Sequence, residues 1–268
     1  MKNLSETESR FNNSEDAPTK ALSSVQMMLR SASGNQPLFP RTLLYNEGWL
    51  LRLVLDWFAS HSIPDHPLAF AAEASWFSEA LLPSPFLARF RGDELAESWT
   101  HADGVIGHFK IGEGGKADLK LRTVAKQLLV LEAKIFSSLS AGVTYATYYD
   151  QAARNVACIA ELLHRAKRPP SEMVSLGFYL LAPSSQIERG VFSKVVNKKS
   201  ILKKVSRRVQ SYEGERERWY EEWFRPTWEM LDIQCLSWEE VITAIKKYDS
   251  SAGASIDLFY DFCLSFGK

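Results

Sequence analysis

Residues 128–135 read Leu-Leu-Val-Leu-Glu-Ala-Lys-Ile and are apolar except for one acid and one base. A short continuous apolar run of this kind is typical of a strand buried within a sheet. Side chains alternate between the two faces of a strand, so Glu132 and Lys134 emerge on one face while Ala133 points to the other. Burying a carboxylate and an ammonium is costly unless each has partners. The pattern therefore predicts a functional site on this strand, such as a metal centre.

The segments around this strand predict an α/β domain. Apolar spacing and proline stops predict helices over 41–60, 67–82 and 146–167. We expect the strands 105–111, 119–121 and 128–135 to form a three-stranded antiparallel meander. Two further strands are expected over 173–181 and 231–236. Together these elements predict a central mixed sheet flanked by helices.

A polar tail and one domain account for the whole chain. Residues 1–20 are rich in Ser, Asn, Glu and Asp with almost no large apolar residue, which predicts disorder. Residues 21–268 are expected to form a single domain, because 46% of the chain is hydrophobic and 24% charged, as in globular proteins. Its core is expected over about 41–182, followed by a helical extension with one further strand over 183–268.

Charge, cysteines and hydropathy limit the classes of function. Lys plus Arg and Asp plus Glu both total 32, so nucleic-acid binding would need a local basic patch. The 3 cysteines are far apart and form no Cys-x-x-Cys pair, which argues for a reducing compartment and against structural zinc. The sequence shows neither a signal peptide nor an apolar run long enough to span a membrane. We therefore expect a cytoplasmic protein without membrane contact.

A second carboxylate precedes the predicted middle strand of the meander. Asp118 opens the run Asp-Leu-Lys-Leu, and a hairpin would bring it alongside Glu132. Two carboxylates at one point repel unless a cation lies between them, and hard divalent cations prefer carboxylate oxygens. Lys134 could then orient the attacking water and stabilise charge on a phosphate. Asp103, in His-Ala-Asp-Gly on the first predicted strand, remains a rival to Asp118 as the metal ligand.

This arrangement resembles the PD-(D/E)XK phosphodiesterase superfamily, which includes restriction endonucleases and repair nucleases. The resemblance runs from Glu47 to about Leu181, roughly half the chain, although Ala117 stands where the motif usually has proline. It implies a restriction-endonuclease-like three-layer core and a nuclease that uses Mg²⁺ or Mn²⁺. It also implies supporting roles for Glu47 on the first helix and for Gln151 on the crossover helix. On this basis the expected catalytic residues are Asp118, Glu132, Lys134, Gln151 and Glu47.

The segment 194–208 offers a surface for nucleic acid. Basic residues surround an apolar stripe there, and those expected to contact phosphates are Lys194, Lys198, Lys203, Lys204 and Arg207. A solvated helix face would have the same composition. The resemblance favours DNA as the substrate, but the residues themselves do not separate DNA from RNA; a homodimer is a further expectation. The alternative function is a catalytically silent module that keeps the fold and binds nucleic acid or protein.

Overall fold

A five-stranded mixed sheet forms the centre of the protein. The structure is a computed structural model and describes residues 16–112, 116–142 and 146–267. The strands are β1 (Ser75–Leu82), β2 (Thr100–Gly107), β3 (Phe109–Ile111), β4 (Leu119–Leu121), β5 (Gln127–Ala133), β6 (Ser175–Ala182) and β7 (Asp232–Ser237). Their order in the main sheet is β1-β2-β5-β6-β7, while β3 and β4 pair separately. β2 pairs antiparallel with both β1 and β5, whereas β6 pairs parallel with both β5 and β7.

Helices cover both faces of this sheet. They are α1 (Asp16–Ser31), α2 (Glu47–Ser60), α3 (Gln151–Ala166), α4 (Ser184–Glu188), α5 (Lys198–Gln210), α6 (Glu217–Trp219), α7 (Arg225–Met230), α8 (Trp238–Tyr248) and α9 (Ser250–Phe266). A π-helical turn, Tyr220–Phe224, joins α6 to α7. Short 3-10 turns occur at Arg41–Leu43 and Pro170–Glu172. The predicted α/β fold, with a central mixed sheet flanked by helices, is confirmed.

The two faces of β5 pack into separate hydrophobic cores. Leu129 and Leu131 join the core formed with α2, α8 and α9. Leu128 and Val130 join the core formed with α3 and α5. α3 also makes the connection between the parallel strands β5 and β6, which cannot be joined by a tight turn. The side chains at even-numbered positions of β5 therefore face α3.

β1 replaces the second half of the helix that the sequence predicted over 67–82. Its residues pair with β2, with Trp76 opposite Ile106 and Phe77 opposite Val105. Trp76 packs against one core and Phe77 against the other, as the alternation of a strand requires. The prediction of a helix here is wrong because long-range pairing, which a local pattern does not show, decides the conformation.

The predicted meander is also wrong in its pairing. The middle strand, β4, pairs with β3 outside the main sheet. β2 pairs directly with β5, from Gly104 opposite Leu131 to Gly107 opposite Leu128. Gly107 has φ +152°, and a Cβ atom there would lie 2.3 Å from the carbonyl oxygen of Gln127, so no side chain fits. The chain leaves the sheet at this glycine, and the β3–β4 hairpin is thereby separated from β5.

The N-terminal tail is only partly described. Residues 1–15 of the predicted disordered tail lie outside the described residues, and residues 16–20 are the beginning of α1 rather than part of a tail. Among the residues that the structure describes, no helix has both the length and the hydropathy that crossing a membrane requires.

Candidate active site

β2 and β5 separate at Asp103. The next position of their register after Gly104 and Leu131 brings Asp103 opposite Glu132. There the Oδ2 atom of Asp103 accepts a hydrogen bond of 2.8 Å from the main-chain N–H of Ala133. A side-chain carboxylate thus takes the place that a main-chain carbonyl would have in a regular ladder. The opening between the strands brings the two carboxyl groups together.

Glu132 is held by side chains from α3 and from its own strand. It is 0% exposed, and its Oε1 accepts a hydrogen bond of 2.7 Å from Asn155 Nδ2. Its Oε2 accepts one of 2.7 Å from Gln151 Nε2 and lies 3.3 Å from Lys134 Nζ. Three donors on one carboxylate fix its orientation and partly replace the water that burial removes.

Lys134 lies between the two acids. Its Nζ is 3.3 Å from Glu132 Oε2 and 3.4 Å from Asp103 Oδ2. Its main chain is also fixed, since its N–H donates to the carbonyl of Leu181 and its carbonyl accepts from the indole of Trp238. The sheet and α8 together hold this ammonium group in a buried position. Such an anchored cation can hydrogen-bond an incoming anion without rearranging.

The pKa values of Glu132 and Lys134 depend on each other and on the charge of Asp103. Burial raises the pKa of Glu132 to about 8; the charge of Asp103 adds to this effect, while Lys134 and Asn155 oppose it. Burial by itself would lower the pKa of Lys134, but the charges of Glu132 and Asp103 outweigh it and raise that pKa. With both carboxyls ionised, one ammonium faces two negative charges. A further cation would compensate the second negative charge.

The donor atoms fit a hard divalent cation. Two carboxylates are the ligands that Mg²⁺ and Mn²⁺ prefer, with water and substrate oxygens completing the coordination. Among the described residues, no group of 3 or more His, Cys, Asp or Glu side chains could hold a metal. A cation held by two carboxylates would have its remaining positions open to water and substrate.

No family model, curated protein or solved structure matches the chain.

Asp118, the preferred metal ligand in the sequence analysis, does not lie beside Glu132. It forms a bridge with Leu81, whose N–H donates to the carbonyl of Ala117. This contact uses the edge of β1 that β2 leaves free, so β1 and β2 separate Asp118 from β5. With strands about 4.8 Å apart, the backbone of Asp118 is about 14 Å from β5. The predicted proximity is wrong, and the rival Asp103 occupies that position because the β3–β4 hairpin leaves the sheet.

The two supporting residues differ in their placement. Gln151 begins α3 and contacts Glu132, as described above, and its Oε1 accepts a hydrogen bond from the N–H of Ser140. Glu47 lies in the first turn of α2 and is half-buried near the thiol of Cys263. Within the described residues, no hydrogen bond or ion pair joins Glu47 to the other site residues. The structure thus brings Gln151, and not Glu47, into contact with the central acid.

Asn155 is the site residue that the sequence analysis did not assign. It follows Gln151 by four positions and therefore lies on the same face of α3. It is 0% exposed and donates to Glu132. A buried asparagine at this spacing from Gln151 is the signal that could have identified it.

Some side chains of the predicted basic surface bind other groups of the protein, and others are exposed. Lys198 Nζ donates to the carbonyls of Glu229 and Leu231, and Lys204 pairs with Asp150 at 2.5 Å. Lys194 and Lys203 are exposed. Arg207 is exposed too and stacks 3.9 Å from the ring centroid of Tyr148. Because Asp150 caps α3 immediately before Gln151, α5 lies beside the candidate active site.

The raised pKa of Glu132 predicts how stability depends on pH. The folded protein holds this proton up to about pH 8, whereas an unfolded chain releases it near pH 4.5. The folded state thus binds more protons between these values, so the free energy of unfolding contributed by Glu132 falls as pH rises. We expect this loss of stability as the pH rises from about 5 to 8, measured by urea unfolding with a chelator present.

Glu132→Gln is the matched variant for that measurement. It cannot titrate, so its stability should be flatter over the same pH range, and Mg²⁺ at pH 8 should stabilise the wild type but not the variant. Parallel pH profiles for the two proteins would show that Glu132 is not the group responsible.

Proposed function

We propose that the protein is a metal-dependent nuclease of the PD-(D/E)XK type with a restriction-endonuclease-like core. The observation that carries this proposal is the convergence of Asp103, Glu132 and Lys134 where β2 and β5 separate. The order of elements supports it as well: α2, the β1–β2–β5 strands, the crossover helix α3 and then β6. Burial of Glu132 and Lys134 without a functional role would be destabilising compared with apolar residues.

Each residue has a distinct task in this mechanism. Asp103 and Glu132 would hold Mg²⁺ or Mn²⁺, which supplies Lewis-acid stabilisation of the charge on a phosphate. Lys134 donates hydrogen bonds to the attacking water and to a phosphate oxygen, where negative charge grows in the transition state. Gln151 and Asn155 position the carboxylate of Glu132. These two amides act through Glu132 and are positioning residues.

Nucleic acid is the substrate that the surroundings of the site favour. Lys203 and Arg207 extend from α5 next to the beginning of α3, and Tyr148 adds an aromatic ring. Positive side chains beside the site compensate for the zero net charge of the whole chain. DNA remains our preferred substrate, and cleavage of RNA would be the alternative outcome.

A cleavage assay tests the proposed function. Plasmid DNA, single-stranded DNA and RNA are incubated with the full chain in Mg²⁺, in Mn²⁺ and in excess EDTA. We expect cleavage that requires a divalent cation. Cleavage that persists in EDTA would contradict the mechanism, and nucleic-acid binding without any affinity for divalent cations would favour the catalytically silent module.

Charge reversal on α5 should weaken substrate binding. Lys203→Glu together with Arg207→Glu removes two phosphate contacts, which should lower the slope of log affinity against log salt by about 0.9 per contact. Cleavage at saturating substrate should change little, because neither side chain contacts the central acids. Fluorescence anisotropy with labelled duplex DNA at several salt concentrations measures the slope.

Lys247→Glu is the control for this surface. It reverses one charge, as each of the single variants Lys203→Glu and Arg207→Glu does, at an exposed position of α8 on the other face of the sheet. If the α5 and α8 variants weaken DNA binding equally, the loss of affinity follows from overall charge and not from a specific surface.

A further inference from the structure

A cavity of about 610 Å³ lies at the end of α3 that is farther from the candidate active site. It is bounded by the last turn of α3 and by the segment that contains α6 and the π-helical turn. Its lining residues are His164, Lys167, Arg218, Trp219, Glu222 and Trp223. At a rise of 1.5 Å per residue, His164 lies about 20 Å along α3 from Gln151. The cavity is therefore separate from the catalytic centre. It lies on the opposite side of the same helix, because the nine positions from Asn155 to His164 make about two and a half turns.

Two tryptophans form one wall of this cavity. Trp223 is half-buried, and its ring centroid lies 5.2 Å from that of His164. Trp219 is only 7% exposed, and its indole N–H has no hydrogen-bond acceptor within the described part of the chain. Because Trp219 is buried, Trp223 is the side chain that offers an aromatic surface to the cavity, and bases stack on such surfaces.

Cationic side chains lie at the rim of the same cavity. Lys167 follows α3 in a left-handed conformation, and its N–H bonds to the carbonyls of His164 and Leu163. The side chain of Arg218 is 87% exposed and contacts Glu222 at 2.9 Å. An exposed ion pair of this kind contributes little to stability, so Arg218 can exchange its partner for a phosphate.

The π-helical turn determines where these residues lie. Pro226 has no N–H to continue a regular helix. The N–H of Arg225 bonds instead to the carbonyl of Tyr220, five residues earlier. Single π turns inside helices occur frequently at functional sites. Here the turn forms the wall that carries Trp223.

We propose that this cavity binds a single-stranded stretch of nucleic acid, with a base against Trp223 and phosphates at Lys167 and Arg218. This inference rests on the proposed function and specifies its substrate class, namely nucleic acid with a single-stranded end or gap. A strand that reaches both sites would span at least about six stacked nucleotides at 3.4 Å each, since the rise along α3 alone is about 20 Å.

Binding of oligonucleotides in EDTA tests this inference without catalysis. The probes are labelled dT12, an abasic strand of the same length and a 12-base-pair duplex. We expect Trp223→Leu and Arg218→Glu each to weaken dT12 binding about tenfold, as expected for one stacked base or one phosphate contact. The abasic strand should bind the wild type about tenfold more weakly than dT12 and should be insensitive to Trp223→Leu.

Arg225→Glu is the matched control. Arg225 lies close in sequence and forms the same kind of i,i+4 pair, with Glu221, but it does not line the cavity. It should leave dT12 binding within about twofold of the wild type. If Trp223→Leu does not fold, Arg218→Glu still decides, because that side chain is exposed.

The opposite results would overturn the inference. They are dT12 binding that is unaffected by Arg218→Glu, equal losses from Arg218→Glu and Arg225→Glu, or equal affinities for dT12 and the abasic strand. The nuclease proposal fails separately if the protein shows no cation-dependent cleavage. In that case the variants of the cavity would still weaken the binding of dT12. Normal cleavage with dT12 binding that ignores the cavity would refute this inference alone.

Discussion

Lys134→Ala should reduce the rate of cleavage by about 10²–10³, because it removes one preorganised electrostatic partner of the transition state. Lys134 Nζ is the cationic side-chain group within 3.4 Å of both Asp103 and Glu132 among the described residues. Its main chain is fixed by β6 and α8, so truncation of the side chain should leave the fold intact. Metal binding should persist, since both carboxylates remain. Single-turnover cleavage and calorimetry with Mn²⁺ separate the two effects.

Lys120→Ala is the control for that variant. Lys120 is exposed on β4 and lies 3.9 Å from Asp118, away from the central acids. It should cleave at a rate within about twofold of the wild type. A Lys134→Ala protein that still cleaves at a comparable rate would remove Lys134 from the mechanism.

Asp103→Asn should abolish both cation binding and cleavage, with a loss of rate of at least about 10²–10³. Asparagine keeps an oxygen that can accept the hydrogen bond from the N–H of Ala133, so the junction between β2 and β5 should survive. What the substitution removes is the second negative charge next to Glu132. Without that charge, one carboxylate and one ammonium remain. Their charges balance, so no excess negative charge is left to bind a cation.

Asp118→Asn makes the same chemical change on the β3–β4 hairpin. Since β1 and β2 separate that residue from β5, its metal affinity and cleavage rate should stay within about twofold of the wild type. Loss of activity in Asp118→Asn, with Asp103→Asn active, would reverse the assignment of the two aspartates.

The sequence predicted the features that depend on the local spacing of apolar and charged residues. An apolar run interrupted by Glu132 and Lys134 predicts a buried strand with both charges on one face. β5 is buried and contains Glu132, and Lys134 follows it directly with its ammonium 3.3 Å from that carboxylate. The predicted strands near 173–181 and 231–236 correspond to β6 and β7. Helical spacing likewise predicted α3, whereas the position of Gln151 beside the strand was what the family resemblance implied.

The remaining features depend on long-range contacts that local patterns do not contain. Asp118 and Asp103 precede similar apolar segments, and only the departure of the chain at Gly107 decides which of them faces Glu132. The helix predicted over 67–82 failed for the same reason, because pairing with β2 defines β1. Glu47 has suitable spacing on α2, but the packing of that helix places it near Cys263.

The location of a bound cation is the most direct test of the central claim. Crystals of the wild-type chain soaked in Mn²⁺ would be measured for anomalous scattering. The geometry described here predicts one strong peak in contact with carboxylate oxygens of Asp103 and Glu132. A peak at Asp118, or a protein that binds Mn²⁺ only at sites away from Glu132, would contradict it.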